Sequence, residues 1–360
     1  MKKIFKLTSL GIILLYSFQS FSQNKNDYTV KIDSLILNKT TRPFNGIIII
    51  SKNGKTTYSK IVGYSDLEKK TPLQPNSQFV IGSISKQITT VLVLQEYEKG
   101  RLKLNEPIRK YLPELSQNWA DTVTVHHLLT HMHGIMELDK PTAFKAGTAF
   151  NYSYSNTGYD LLAKITERTS GKSFAEQSKE LFQKCGMKNT FYPDTKEYKN
   201  LVNGYSEQEN GKIELEKNSF RNAPAAGSFV STPPDLILWN QNLQGGKLLK
   251  AHTYKMMTTK QQGAIRQHPL SAKTDYGYGM TVDTKDDILQ LGQTGFAPGF
   301  ASMNFYFPET KTSVIVLENI SYDPNDLRNT FFYHTQILKI VRQEIINFYY
   351  SSNNNNPKHH

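Results

Sequence analysis

The chain has 360 residues, 38% of them hydrophobic and 21% charged, enough to bury one large core or two ordinary ones. Its net charge of +12 is spread out, with no basic helix or arginine stripe. That pattern speaks for solubility and against a nucleic-acid partner, and the single cysteine, Cys185, rules out an internal disulfide.

Met1-Lys2-Lys3 followed by an apolar run from Leu7 to Phe21 reads as a secretory signal peptide over residues 1–22, with Ser20-Phe21-Ser22 before the cut. The run is too short and too serine-rich to span a membrane, and no later stretch is long enough, so export to a periplasm or the medium is expected. Residues 23–42 contain a first helix, with Val30, Ile32, Leu35 and Ile36 as its apolar positions. Gly46 to Ile50 is a buried strand, Asn53-Gly54 a hairpin turn, and Thr56 to Val62 the returning strand. A helix begins near Ser83 and ends before Gly100. Helices and loops then dominate to about residue 250: Thr124 to Thr130, Gly158 to Thr169 stopped by Gly171, and Asp235 to Leu243 stopped by Gly245-Gly246. Strands return over Gly277–Val282, Asp287–Leu291, Phe300–Phe307 and Thr312–Leu317. A last helix covers about Asn325 to Tyr349, and residues 351–360 read as a disordered tail.

Strands at both ends with helices between predict one antiparallel sheet flanked by helices, with an inserted helical lobe. A single domain over 23–350 then has an α/β lobe of 23–95 and 270–350 and a helical lobe of 96–269.

Three stretches carry chemistry. Ser83-Ile84-Ser85-Lys86 opens a helix, which puts a hydroxyl and an amine on one face beside free backbone N–H groups. Those are the parts of an acyl-transfer site: nucleophile, proton acceptor and oxyanion donors. Alone the motif is weak, since Ser22-Gln23-Asn24-Lys25 has the same spacing in the leader. Tyr154-Ser155-Asn156 adds a phenol and an amide just before a helix, although Tyr198-Lys199-Asn200 repeats that pattern in a polar stretch. Gln293-Thr294-Gly295-Phe296 adds a hydroxyl and a glycine that admits close backbone approach, at a strand end. There is no phosphate-cradling loop, no nucleophile elbow and no carboxylate pair suited to glycosidase chemistry.

In this order the three motifs resemble those of the penicillin-recognising serine hydrolases, in the class C β-lactamase-like group with its DD-peptidases, D-amino-acid peptidases and esterases. Gly100 to Pro107, His127-Leu128-Leu129-Thr130-His131, Ala226-Gly227-Ser228 and Gly245-Gly246-Lys247-Leu248-Leu249 extend the likeness over about residues 40–320. The resemblance implies a β-lactamase/transpeptidase-like fold. It implies Ser83 as the acylated nucleophile, Lys86 and Tyr154 as proton carriers, and Asn156, Gln293, Thr294, Gly295 and Phe296 around the substrate. The N–H groups of Ser83 and Phe296 would form the oxyanion hole. It does not choose between Lys86 and Tyr154 as the acylation base. A lysine base would need burial to lower its pKa.

Two positions depart from the family. Gln293 stands where Lys or His is usual, which removes positive charge near Tyr154 and near a substrate carboxylate. His131-Met132-His133-Gly134 replaces His-Thr-Ser-Gly, with no role attached. His127 and His131 have metal-ligand spacing on a predicted helix, but the resemblance makes both structural. No metal or cofactor is expected. The expected partner is a small-molecule or peptide substrate, and the oligomeric state is not legible. The expected function is an exported serine hydrolase of peptide amides or esters. A β-lactamase is the alternative within the family, and a non-hydrolytic sensor or scaffold the alternative outside enzymes.

Overall fold

The computed structural model describes residues 27–38, 42–138, 152–193, 198–268, 270–323 and 326–354. The expected signal segment, 1–22, lies outside them. Eight strands form one antiparallel sheet: β1 Gly46–Lys52, β2 Lys55–Val62, β3 Ile265–His268, β4 Ser271–Tyr276, β5 Thr281–Asp283, β6 Gln290–Ala297, β7 Phe300–Phe307 and β8 Thr312–Glu318. Their order is β2-β1-β8-β7-β6-β5-β4-β3, so β1 from the start of the chain pairs with β8 from its end. The apolar run Ile47–Ile50 is buried throughout, as a central strand covered on both faces requires.

On one face lie α1, Asp27–Leu37, and α8, Phe332–Asn354, over a core that includes Ile32, Ile48, Phe305, Val316 and Ile337. On the other lies α2, Ser85–Glu98, whose residues from Ser85 to Leu94 are all buried. A helix enclosed on every side must sit at the centre of its lobe. Around it pack α3 Val125–Leu129, α4 Asn156–Ser170, α5 Phe174–Cys185, α6 Pro233–Gln244 and α7 Ala251–Thr258. Gly171 and Gly186 end α4 and α5 in the left-handed conformation. Cys185 is buried at the end of α5, and burial pushes its thiol up to about 11.

Several boundaries differ from expectation. Gly277–Val282 is not one strand. Gly279 has φ +71° and the Tyr278 N–H donates to Met257 O, so the chain turns there and only Thr281–Asp283 is extended. Asp286 and Asp287 have positive φ, so the next strand starts at Gln290 and continues through Ala297, placing Thr294 inside it. The sheet starts at Ile265, inside the stretch assigned to the helical lobe, because β3 and β4 form a hairpin of alternating burial that carries no long apolar run. Val30 is 51% exposed, because α1 turns Ile32 rather than Val30 to the sheet. The last helix continues to Asn354, into the expected tail, with Tyr349 packed against the second core.

Candidate active site

The cleft is built where α2 begins. Val80 and Ile81 are tied to Val230 and Phe229 by strand pairing and by the Ile81 N–H bond to Phe229 O (2.9 Å). The chain then makes a 3-10 turn, Gly82–Ile84, before α2. Gly82 has φ +52°, and a Cβ there would lie 2.5 Å from the Phe296 backbone nitrogen. Only glycine lets the turn press this close to β6. The Ser302 hydroxyl donates to Ile81 O (2.7 Å), fixing the turn to β7 as well. The Phe296 amide therefore lies against the turn that carries Ser83, as an oxyanion hole shared between them requires.

One turn on, Lys86 is fully buried. Its Nζ lies 3.2 Å from Ser83 Oγ, 2.8 Å from Asn156 Oδ1 and 2.7 Å from Ala226 O. An ammonium satisfies all three as donor. A neutral amine donates to the two carbonyl oxygens and turns its lone pair to Ser83, so only one bond changes sense with protonation. Burial lowers the Lys86 pKa, opposed by the Tyr154 phenol. Tyr154 Oη lies 2.5 Å from Ser83 Oγ, which makes the serine hydroxyl the meeting point of amine and phenol.

Tyr154 is strapped on both sides to His131. The Ser153 N–H donates to His131 O (2.8 Å) and the Ser155 N–H to His131 Nδ1 (3.2 Å). The two rings lie 4.4 Å apart. Since Nδ1 accepts, His131 is neutral with its proton on Nε2, and burial holds its pKa well below the ordinary range. His131 has φ +58° and lies beyond the end of α3, while His127 caps that helix through Thr124. The four-residue spacing therefore does not put both on one helical face. Within His131-Met132-His133-Gly134 it is His131, shared with the usual pattern, that backs the phenol, while the departing His133 accepts the Ile135 N–H at its Nδ1 (3.0 Å).

Burial pushes the Tyr154 phenol up, but Lys86 and then Arg266, with hydrogen bonds from Lys86 and Ser83, outweigh it, and its pKa falls below the ordinary value. No sequence motif marks Arg266. It sits on β3 with its guanidinium carbon 4.5 Å from the Tyr154 ring centroid, and it donates to Gln293 Oε1. Gln293 is fully buried, and its Nε2 donates to Tyr276 Oη (3.1 Å). Both ends of its amide are thus engaged by protein, and a direct substrate contact is not what its position offers. Arg266 thus places a guanidinium beside Tyr154, where glutamine at 293 brings no charge.

Along β6, side chains alternate between faces. Gln293 and Gly295 face α2, and Thr294 lies opposite with its hydroxyl 3.3 Å from His268 Nε2. Phe296 is 36% exposed at the rim. Strand β5 pairs only with Gln290–Gly292, so Gln293–Ala297 keep an edge free of strand pairing beside Ser83. Asn156 is exposed, with its Oδ1 on Lys86. Ser83, Lys86, Tyr154, Asn156, Gly295 and Phe296 thus come together, with Gln293 behind them and Thr294 on the far face. The decoy Tyr198 is held elsewhere, its hydroxyl on Tyr192 O. Among the described residues, no group of three or more His, Cys, Asp and Glu side chains is placed to hold a metal, and no helix is long and apolar enough to cross a membrane.

Comparison with known proteins bears on the family and the fold. The Beta-lactamase family matches residues 38–338. Teichoic acid D-alanine hydrolase of Staphylococcus aureus (strain MRSA252) is 28% identical over 295 residues, 74% of this chain and 68% of that protein. Its counterparts from other strains are matched over only 62% or 56% of their length. The octameric penicillin-binding protein homologue from Pyrococcus abyssi superimposes with a TM-score of 0.72 at 27% identity, covering 86% of this chain and 77% of that one. D-amino acid amidase from Ochrobactrum anthropi SV3 shares the fold, with a TM-score of 0.72 at 20% identity over 89% of this chain and 97% of that one.

Proposed function

The chain belongs to the Beta-lactamase family and is a serine hydrolase of its class C-like group; from that premise we propose that it hydrolyses esters or amides of D-amino acids, D-alanyl esters first, through an acyl-enzyme on Ser83. The observation that carries this is the convergence of Tyr154 Oη and Lys86 Nζ on Ser83 Oγ, at 2.5 and 3.2 Å.

Ser83 Oγ attacks the carbonyl carbon while its proton passes to the Tyr154–Lys86 pair. The ammonium–phenolate and amine–phenol forms of that pair carry the same total charge, so the proton is shared without exchange with solvent. Charge developing on the carbonyl oxygen meets the N–H groups of Ser83 and Phe296. The C–O or C–N bond then breaks, the leaving group takes the proton, and the acyl group stays on Ser83. Water, deprotonated by the same pair, releases the acid and returns the proton to Ser83. Asn156 holds Lys86 and offers its amide nitrogen to the substrate.

The D-alanyl preference is supported by the likeness to teichoic acid D-alanine hydrolase. The same reading includes export, supported by the basic and apolar start of the chain. A fluorophosphonate probe should label the protein covalently and lose labelling in Ser83→Ala. A D-alanine nitrophenyl ester should be cleaved at least tenfold faster than its L-isomer. Faster turnover of nitrocefin than of the D-ester would favour a β-lactamase, and a folded protein that resists the probe would leave only a binding role.

A further inference from the structure

Among the described residues, Arg266 is an arginine without a carboxylate. Arg42, Arg101, Arg109, Arg168, Arg328 and Arg342 each pair with an Asp or Glu, and Arg221 donates to Pro193 O beside the Phe220 ring, away from the cleft residues. No carboxylate among the described residues pairs with Arg266, whose side-chain hydrogen bond goes to a neutral amide, Gln293. Its charge is therefore not cancelled locally, and it acts on whatever lies beside it. What lies beside it is the Tyr154 ring, 4.5 Å from the guanidinium carbon, about as near as the Lys86 amine at 4.7 Å.

We propose that Arg266 is a positioning residue which, held by Gln293, supplies the positive charge that favours the phenolate of Tyr154, the form that takes the Ser83 proton. This rests on the acyl-enzyme reading for Ser83 and Tyr154 and adds to it how the phenol is charged.

The groups facing Tyr154 leave few alternatives. Lys86 comes from α2 and Ser83 from the turn before it; His131 stands behind the ring, and Tyr152 lies two residues earlier in the chain. Tyr159 of α4 and Tyr276 of β4 close the buried side, and Asp160 of α4 acts on Lys86. His131 is neutral because its Nδ1 accepts a backbone N–H. Lys86 and Arg266 are then the cations of the cluster, and Lys86 stops being one whenever it holds the neutral form. A guanidinium, unlike an amine, has no neutral form in this range.

Gln293 completes the case. Its buried amide presents oxygen to Arg266 and nitrogen to Tyr276, which fixes the guanidinium over the ring. A Lys at this position would set a second cation against the first. Glutamine at 293 and arginine at 266 are thus complementary: the cation is carried on β3 and tethered from β6.

The test is a spectroscopic pH titration of tyrosinate in the full chain, which needs no substrate. In the unmodified protein one tyrosine should ionise well below the ordinary value, and that transition should vanish in Tyr154→Phe. Arg266→Met should move its midpoint up the pH scale by about 1–3. Arg266→Lys, which keeps a charge, should move it less, and the pair Arg266→Gln with Gln293→Lys should bring it back. Fluorophosphonate labelling at neutral pH should fall roughly tenfold each time the midpoint rises by about one on the pH scale, with its acid limb moving in step. An unmoved midpoint in a folded Arg266→Met protein overturns the proposal. So does equal loss in all three Arg266 variants, or the absence of a low-ionising tyrosine in the unmodified protein. Failure of the probe to label Ser83 at any pH would sink the acyl-enzyme reading alone, because the titration still decides the part played by Arg266.

Discussion

At Gly82 a single hydrogen atom sets the spacing of the catalytic turn. Gly82→Ala places a methyl group 2.5 Å from the Phe296 nitrogen, on a backbone with φ +52°. The turn must then move off β6, parting the Ser83 and Phe296 N–H groups proposed as oxyanion donors. Acylation is expected to fall about 10²–10³-fold, measured as the probe-labelling rate, in a protein that still melts cooperatively. At this scale the sequence is most informative for residues lying next to one another. Ser83 with Lys86 and Tyr154 with Asn156 are legible because one helix turn or two residues of chain set their relation. Arg266 is not, because an arginine in a short hairpin has no spacing that marks it. Its partner position is visible, but only as a missing charge. His131 reads as a helical residue in the sequence, since no pattern announces that its backbone turns left-handed one residue past Thr130.

Helix α4 brings both Asn156 and, one turn later, Asp160 to the neighbourhood of Lys86. Burial raises the Asp160 pKa to about 6, against the lowering effect of Lys86 and Lys164. An acid whose folded pKa lies above its unfolded value adds stability at low pH, which is lost as pH rises through the folded value. Asp160 should therefore cost the protein stability between about pH 4 and pH 7. Asp160→Asn is expected to abolish that loss, worth about 2–3 kcal/mol, in denaturant unfolding compared at the two ends of the window. Elements marked by caps and periodicity, such as α4 with Gly171 behind it, are legible to within two residues. Strands β3 and β4 are not, because they are held by pairing, β3 with β4 and β4 with β5, rather than by an apolar run. The same holds for the start of β6, which two left-handed aspartates delay.

The whole sheet is closed by contacts between chain segments nearly three hundred residues apart. Arg42 makes a two-point ion pair with the fully buried Glu318 and donates to the carbonyls of Asn329 and Thr330, joining the approach to β1, the end of β8 and the approach to α8. Tyr322 and Tyr333 flank the guanidinium. Arg42→Met leaves a carboxylate buried without its partner, at an expected cost of about 3–5 kcal/mol, readable as a lowered denaturant midpoint. The pattern of strands at both ends foretells that distant segments share a sheet. Nothing in it foretells this clasp, whose members are single residues with no local signature.

Cys185 also belongs to the whole molecule, as the only thiol in 360 residues. Buried, and pushed up to about 11, it is a poor nucleophile at neutral pH. The natural protein therefore already behaves like a cysteine-free background. A cysteine exchanged for Met136, which is 55% exposed and whose carbonyl accepts from Thr157 next to Asn156, would be the one position a maleimide dye finds. A fluorophore there can report cleft occupancy in real time, with every native contact of the core left in place.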